Sequence, residues 1–229
     1  MRSQADGGVW VVVPAYNEAR VIAGVVAELK VDAHRIVVVD DGSSDATAAV
    51  AAERGAVVLE HPINLGQGAA LQTGIEFALA RGAEIIVTFD ADGQHRTADI
   101  VTLIDALETH RADFALGSRF LGSAVNMPPL RRTLLRAATW FTRLTTGLTL
   151  TDAHNGLRAM TRRGALCIRL RQNRMAHASE ILGQIAASGL KFVEVPVTIE
   201  YSRYSLAKGQ RSGDLIVILL DLFARRLTP

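Results

Sequence analysis

A single cysteine, Cys167, excludes an internal disulfide and a cysteine zinc centre. It reads as a small buried hydrophobe in a chain kept in a reducing compartment. An excess of one charge is also lacking. The 25 Lys and Arg against 23 Asp and Glu leave a formal charge of +2, so no overall field directs the chain to nucleic acid. The six prolines and 19 glycines are spread along the chain and form no linker or low-complexity segment. No segment recurs with a solenoid period. Long apolar runs are missing as well. The run over 9–13 is too short for a signal sequence, and the run over 215–220 is closed by Asp221, well below the ~20 residues that cross a bilayer. A cytoplasmic chain, or one lying peripherally on the cytoplasmic face of a membrane, is the expectation.

What is present is alternation. Strands are expected over 9–13, 36–39, 56–59 and 85–89, and helices over 18–30, 46–54, 67–80 and 97–110. Pro14 should stop the first strand. Later elements follow less regularly. They are a strand over 114–117, a helix over 130–147, a polar loop and strand over 151–160, a helix over 178–188, a strand over 192–201 and an amphipathic helix over 213–227. Pro196 places the strand over 192–201 at an edge or after a bend. Short connections between alternating strands and helices predict an α/β fold, with a mostly parallel sheet flanked by helices on both faces. At 229 residues and 49% hydrophobic, one domain with two functional halves is expected.

The crossover rules bring the polar ends of these strands to one edge of the sheet. The sharpest of these ends is Asp90-Ala91-Asp92-Gly93-Gln94-His95, after the apolar run 85–89. Asp90 and Asp92, alternating on an extended segment, can aim two hard oxygen donors at one small cation such as Mg²⁺ or Mn²⁺. A turn capping the next helix is the other reading. Asp40 and Asp41 end the second strand, where two adjacent buried carboxylates call for a partner, read as a ligand. Asp45 reads instead as a helix cap, and His95 as a solvated or capping residue. The dinucleotide fingerprint is absent after the first strand, where Pro14-Ala15-Tyr16-Asn17-Glu18 stands.

Four segments in register, Pro14 to Glu18, Val39 to Asp45, Asn64-Leu65-Gly66-Gln67-Gly68 and Asp90 to His95, resemble family 2 glycosyltransferases. The dolichol-phosphate mannosyltransferase and polyprenyl-phosphate glycosyltransferase branch is the most similar. The resemblance covers almost the whole chain. It implies a GT-A fold, a nucleoside-diphosphate sugar (GDP- or UDP-linked), a divalent metal, Mg²⁺ or Mn²⁺, and inversion at the anomeric carbon. Residues 1–95 would form the nucleotide-sugar half and 96–229 the acceptor half of a single domain. By position, Pro14, Tyr16, Glu18, Gly68 and Ala91 would line the nucleotide-sugar pocket, with Asp41 on the base or ribose. Asp90 and Asp92 would hold metal and diphosphate, and Gln94 would be a weaker third ligand.

Gly117-Ser118-Arg119 matches the family's G-S-R element, which assigns Arg119 to phosphate oxygens. Asp152 to Arg158 matches D-x-x-S-G-F-R, making Asp152 the candidate base or acceptor-facing carboxylate. Arg131 and Arg132 stand where the branch binds the acceptor phosphate, although the usual serine four residues on is replaced by Leu135 and Arg136. The arginines of this helix also suit an anionic membrane surface. Glu194-Val195-Pro196 and the Arg203 to Lys208 segment resemble the E-V-P and basic-loop elements, which assigns Arg203 and Lys208 to the donor diphosphate. The expected activity is transfer of a hexose to a polyprenyl phosphate, with a membrane-protein partner possible. Extension of a lipid-linked or surface polysaccharide at a sugar hydroxyl, and a non-catalytic nucleotide-sugar-binding subunit, are the alternatives.

Overall fold

The computed structural model describes residues 8–31, 34–172 and 176–202. Arg203, Lys208 and the helix expected over 213–227 lie outside the described residues. Strands β1 (Val9–Ala15), β2 (Arg35–Asp40), β3 (Val57–Glu60), β4 (Ile85–Thr88), β5 (Phe114–Val125), β6 (Arg158–Thr161) and β7 (Phe192–Glu200) form one sheet, in the order β3-β2-β1-β4-β6-β5-β7. All neighbours are parallel except β6, which runs antiparallel to both β4 and β5. This is the mostly parallel α/β sheet that the alternation calls for.

Side chains alternate across the sheet with a period of two, and two cores result. Val11 and Val13 face helices α1 (Ile22–Val31), α2 (Thr47–Glu53) and α4 (Ala98–His110), while Trp10 and Val12 face α3 (Gln67–Ala80) and α7 (Ala176–Ser188). Helix α5 (Pro129–Thr146) packs beside α7, and a short α6 (Arg162–Leu166) follows β6 directly. Cys167, expected inside, is exposed after α6.

Pro14 does not stop β1, which pairs through it with Val39 of β2. Val12 faces β4, since its carbonyl accepts the Phe89 N–H at 3.0 Å, so Pro14, two residues on, faces the same side. There β4 has already ended at Thr88, and the missing proline donor costs no ladder bond. Pro196 obeys the edge rule, since β7 is the outermost strand of the sheet, beside β5. A register shift between Ser118 and Ser123 lets β5 run on to Val125, well past its expected end.

Candidate active site

At the carboxyl ends of β1, β2 and β4 the chain leaves a cavity of about 430 Å³, the place where open α/β sheets bind ligands. Its wall beyond β1 and β2 is tied together by short polar bonds. Asn17 sits at a φ of 53°, and its side-chain oxygen accepts the Ser44 N–H at 2.8 Å. The Asn17 N–H donates to Ser43 Oγ at 2.8 Å. Asp45 accepts the N–H of Thr47, first residue of α2, at 3.0 Å, and that of Ala19 at 3.2 Å. Ala46 occupies the cap position, so Asp45, one residue earlier, serves the helix through its first N–H and also anchors the loop after β1. Gly42 (φ 71°) is required here, because a Cβ would lie 2.6 Å from the Ile63 carbonyl carbon.

The two carboxylates ending β2 are spent inside the protein. Asp40 accepts from the Ser43 N–H at 3.2 Å and from its hydroxyl, and does not line the cavity. Asp41 lines it, yet its oxygens accept the N–H groups of Leu65 (2.9 Å) and Gly66 (2.7 Å) and meet His61 Nδ1 at 2.8 Å. Asp41 therefore shapes the loop that enters α3. The argument that buried carboxylates need a partner holds, but protein groups supply the partner.

Asp90 and Asp92 sit together on the cavity wall beyond β4. Asp90 Oδ1 accepts from Gln67 Nε2 at 3.0 Å, and Oδ2 meets His95 Nε2 at 3.0 Å. His95 is thus buried against Asp90, neither solvated nor capping. Burial drives the Asp90 carboxyl up, but the hydrogen bond and charge of His95, with Arg158 and His177, outweigh it and hold the pKa below the usual value. Asp92 goes the other way. Burial first, then the neighbouring Asp90 charge, pushes it up to about 6. Two carboxylates driven apart in this way form an anionic pocket that a cation would relieve.

The opposite wall is the segment 152–158, pressed onto Asp90. A Cβ on Gly156 would lie 2.1 Å from Asp90 Oδ2. Gly156→Ala should therefore displace that carboxylate and lower activity about a hundredfold, the scale of misplacing a reacting group by about 1 Å. Circular dichroism and steady-state kinetics check this, and wild-type turnover would contradict it. Arg158, on β6 opposite Thr88, is buried and lines the cavity. Its guanidinium makes no hydrogen bond or close ion pair among the described residues. Burial pulls its pKa down to about 10 against the charges of Asp90 and Asp152. A buried cation open to a cavity is a site for an anion.

Arg119 and Asp152 are placed differently from their expected roles. Arg119 Nε donates to Asp152 Oδ2 at 2.6 Å, its backbone N–H to the same oxygen at 3.1 Å, one terminal nitrogen to the Tyr201 hydroxyl at 2.6 Å and the other to the His154 carbonyl. Arg119 reaches the cavity wall, whereas Asp152 lies behind it, its side chain 0% exposed. The guanidinium fork that was to meet phosphate is filled by protein oxygens, and the expected base is sealed beneath it. The sequence hid this because the partners are 33 residues apart. Glu194 of the E-V-P element accepts the N–H groups of Thr151 (2.8 Å) and Asp152 (3.1 Å), fixing the start of the wall. Gln67 and Glu194 are the positioning groups whose work was not legible. Glu180 accepts the N–H groups of Arg171 (3.1 Å) and Gln172 (2.9 Å) and Gln184 Nε2 at 3.4 Å, and does not line the cavity.

Of the expected donor-side residues, Pro14, Tyr16, Glu18, Ala91 and Gln94 also line the cavity. Gly68 does not. It lets α3 approach residue 172, where a Cβ would lie 2.2 Å from the Gln172 carbonyl oxygen. Of the helix arginines, Arg131 lines the cavity with its guanidinium 5.1 Å from the Tyr201 ring, while Arg132 points to solvent.

Residues 10–168 match the family model of Glycosyl transferase family 2. The chain belongs to that family. Relatives extend the match over nearly the full length. A UDP-N-acetylglucosamine–dolichyl-phosphate N-acetylglucosaminyltransferase of Methanococcus voltae is 33% identical over 97% of this chain and 96% of its own. A polyprenol monophosphomannose synthase of Mycolicibacterium smegmatis is 32% identical over 90% of this chain and 82% of its own. The chain is thus a family 2 glycosyltransferase whose named relatives fall in the polyprenyl-phosphate branch. Among solved structures, glucosyl-3-phosphoglycerate synthase from Mycobacterium tuberculosis, in complex with Mn²⁺, UDP-glucose and phosphoglyceric acid, superposes with a TM-score of 0.67. At 22% identity, covering 94% of this chain and 79% of that one, it shows a shared GT-A fold.

Proposed function

We propose that this family 2 transferase moves a hexose from a GDP- or UDP-linked sugar to a polyprenyl phosphate, in a metal-dependent, inverting reaction at the cytoplasmic face of a membrane. The observation that carries the proposal is one cavity holding the Asp90 and Asp92 carboxylates opposite the unpaired Arg158 guanidinium. A cation and a diphosphate fit between them with alternating charge. The donor set suits Mg²⁺ or Mn²⁺, being hard carboxylate oxygens with Gln94 nearby. Among the described residues, no three His, Cys, Asp or Glu side chains gather into a cage. Asp90 and Asp92 would hold the ion, with diphosphate oxygens and water completing its shell. Bound there, it would neutralise charge on the departing nucleoside diphosphate.

In the transfer itself, an acceptor phosphate oxygen forms a bond to the anomeric carbon from the face opposite the diphosphate. The anomeric carbon–oxygen bond breaks, and its electron pair leaves with the diphosphate. Arg158 stabilises that charge, and Arg131 on the cavity wall holds the acceptor phosphate. An acceptor phosphate is already anionic near neutral pH, so a sealed Asp152 is no obstacle. A sugar hydroxyl acceptor would need a base that Asp152, in this position, does not present.

The membrane enters through α5. No helix among the described residues is long and apolar enough to cross a bilayer. The outer side of α5, however, exposes Leu130 (59%), Trp140 (62%) and Leu144 (56%), with Arg132 and Arg136 exposed beside them and no acidic residue on the helix. That combination suits an anionic lipid surface. Replacing Arg132 and Arg136 together by Ala should weaken vesicle binding about thirtyfold, on a scale of about 1 kcal/mol per basic residue. Co-sedimentation with anionic vesicles at rising salt checks this, and salt-independent binding by both proteins would contradict it. The reaction is tested by nucleoside diphosphate release from a donor panel with Mn²⁺, with and without a short polyprenyl phosphate. Release stimulated by the lipid phosphate and abolished by chelator is expected. Release indifferent to both would refute the proposal.

A further inference from the structure

His154 stands in the cavity wall with its main chain fully engaged and its ring not engaged at all. Its N–H donates to Asp152 Oδ1 at 3.2 Å and its carbonyl accepts from Arg119, so the residue is pinned. Both ring nitrogens are nevertheless buried without a hydrogen-bond partner among the described residues. Leaving two such atoms unmet costs about 1–3 kcal/mol each, and the residue belongs to the cavity wall, so its ring is where a ligand group would supply the missing bonds. Burial pushes its pKa down to about 4; the Asp152 charge opposes this, and Arg119, Arg158 and His177 reinforce it. The ring is therefore the neutral imidazole, with one donor and one acceptor nitrogen.

A ligand matching both nitrogens must itself give and accept hydrogen bonds. A phosphate only accepts and would satisfy one nitrogen. An array of hydroxyl groups satisfies both. Position agrees with chemistry. Two residues on, Gly156 abuts the Asp90 carboxylate, while the His154 carbonyl holds Arg119, which shares the cavity wall with Arg131. His154 is thus linked through Gly156 to the carboxylate proposed for the diphosphate side and through Arg119 to the wall that Arg131 shares, which suits contact with the transferred ring.

We propose that His154 recognises the sugar being transferred by hydrogen-bonding its hydroxyl groups, and so takes part in choosing which sugar this enzyme carries. The proposal rests on the glycosyl-transfer reading above. The test compares His154→Ala and His154→Gln with wild type by calorimetry in Mn²⁺, using UDP, GDP, UDP-glucose, GDP-mannose and the monodeoxy forms of whichever sugar donor binds. His154→Ala should weaken the nucleotide sugar about tenfold and leave the bare diphosphate unchanged, the scale of one or two hydrogen bonds. His154→Gln, which keeps a donor and an acceptor, should recover part of that loss. One deoxy donor should bind wild type less tightly yet bind His154→Ala as well as the full donor does. Equal losses for diphosphate and sugar donor, or none for either, would overturn the assignment while leaving the transfer reading intact. Wild-type protein that binds no nucleoside diphosphate would overturn both.

Discussion

Asp92→Asn should lower kcat about a thousandfold without unfolding the protein, because the change removes a ligand charge and leaves core volume untouched. The size follows from the several kcal/mol that a bound cation contributes at a leaving diphosphate, at about 1.4 kcal/mol per tenfold in rate. The same carboxylate sets a pH dependence. Its folded pKa is raised to about 6 from the 3.8 of an unperturbed aspartate. Holding it ionised therefore opposes folding increasingly as pH climbs between those values, and fully above them. A divalent cation relieves that opposition and must displace a proton at lower pH. Mn²⁺ should consequently raise the melting temperature more at pH 7.5 than at pH 5, and the increment should largely vanish in Asp92→Asn. Thermal melts with and without Mn²⁺ check both statements. An equal increment in the variant would move the ion elsewhere.

Asp152→Ala should be the most destabilising single change in the site. Arg119 and Asp152 are both buried, with side chains 5% and 0% exposed, and removing the carboxylate leaves a guanidinium with no compensating charge. Losses of about 3–5 kcal/mol follow from breaking such a pair, or roughly 6–20 °C in melting temperature for a domain of this size. A general base at the cavity surface would behave oppositely, with activity lost and stability kept. Denaturant titration alongside kinetics separates the two. An unchanged midpoint with turnover reduced more than a hundredfold would restore Asp152 to the chemistry.

The first half of the chain was legible because its signals are local. Apolar runs end in polar turns, and the sheet places those turns at one edge, so residues 14–18, 41–45 and 90–95 meet as the crossover rules require. The second half was less legible, and each miss has a physical source. The strand expected to end at Gly117 runs on to Val125, because pairing with β7 resumes at Ser123 after a register shift that no local signal announces. Glu194 reaches Thr151 from 43 residues away. Arg119 and Asp152 carry residue types that suit catalysis, and only their mutual burial shows them occupied with each other. Asp41 makes the same point, since a carboxylate at a strand end serves its own loop as readily as a ligand. His154, by contrast, became informative only through the ring nitrogens it leaves unpaired, and Arg158 through its burial on the cavity wall.

The acceptor is the central claim, and the chemical identity of the product tests it most directly. The protein, Mn²⁺ and its preferred nucleotide sugar should be offered a short polyprenyl phosphate and an oligosaccharide together, and the product analysed by mass and by the anomeric proton coupling. The account predicts a glycosyl phosphodiester of the lipid, with the anomeric configuration inverted relative to the donor. A product carrying the new sugar on a saccharide hydroxyl, or one that retains the donor configuration, would contradict it.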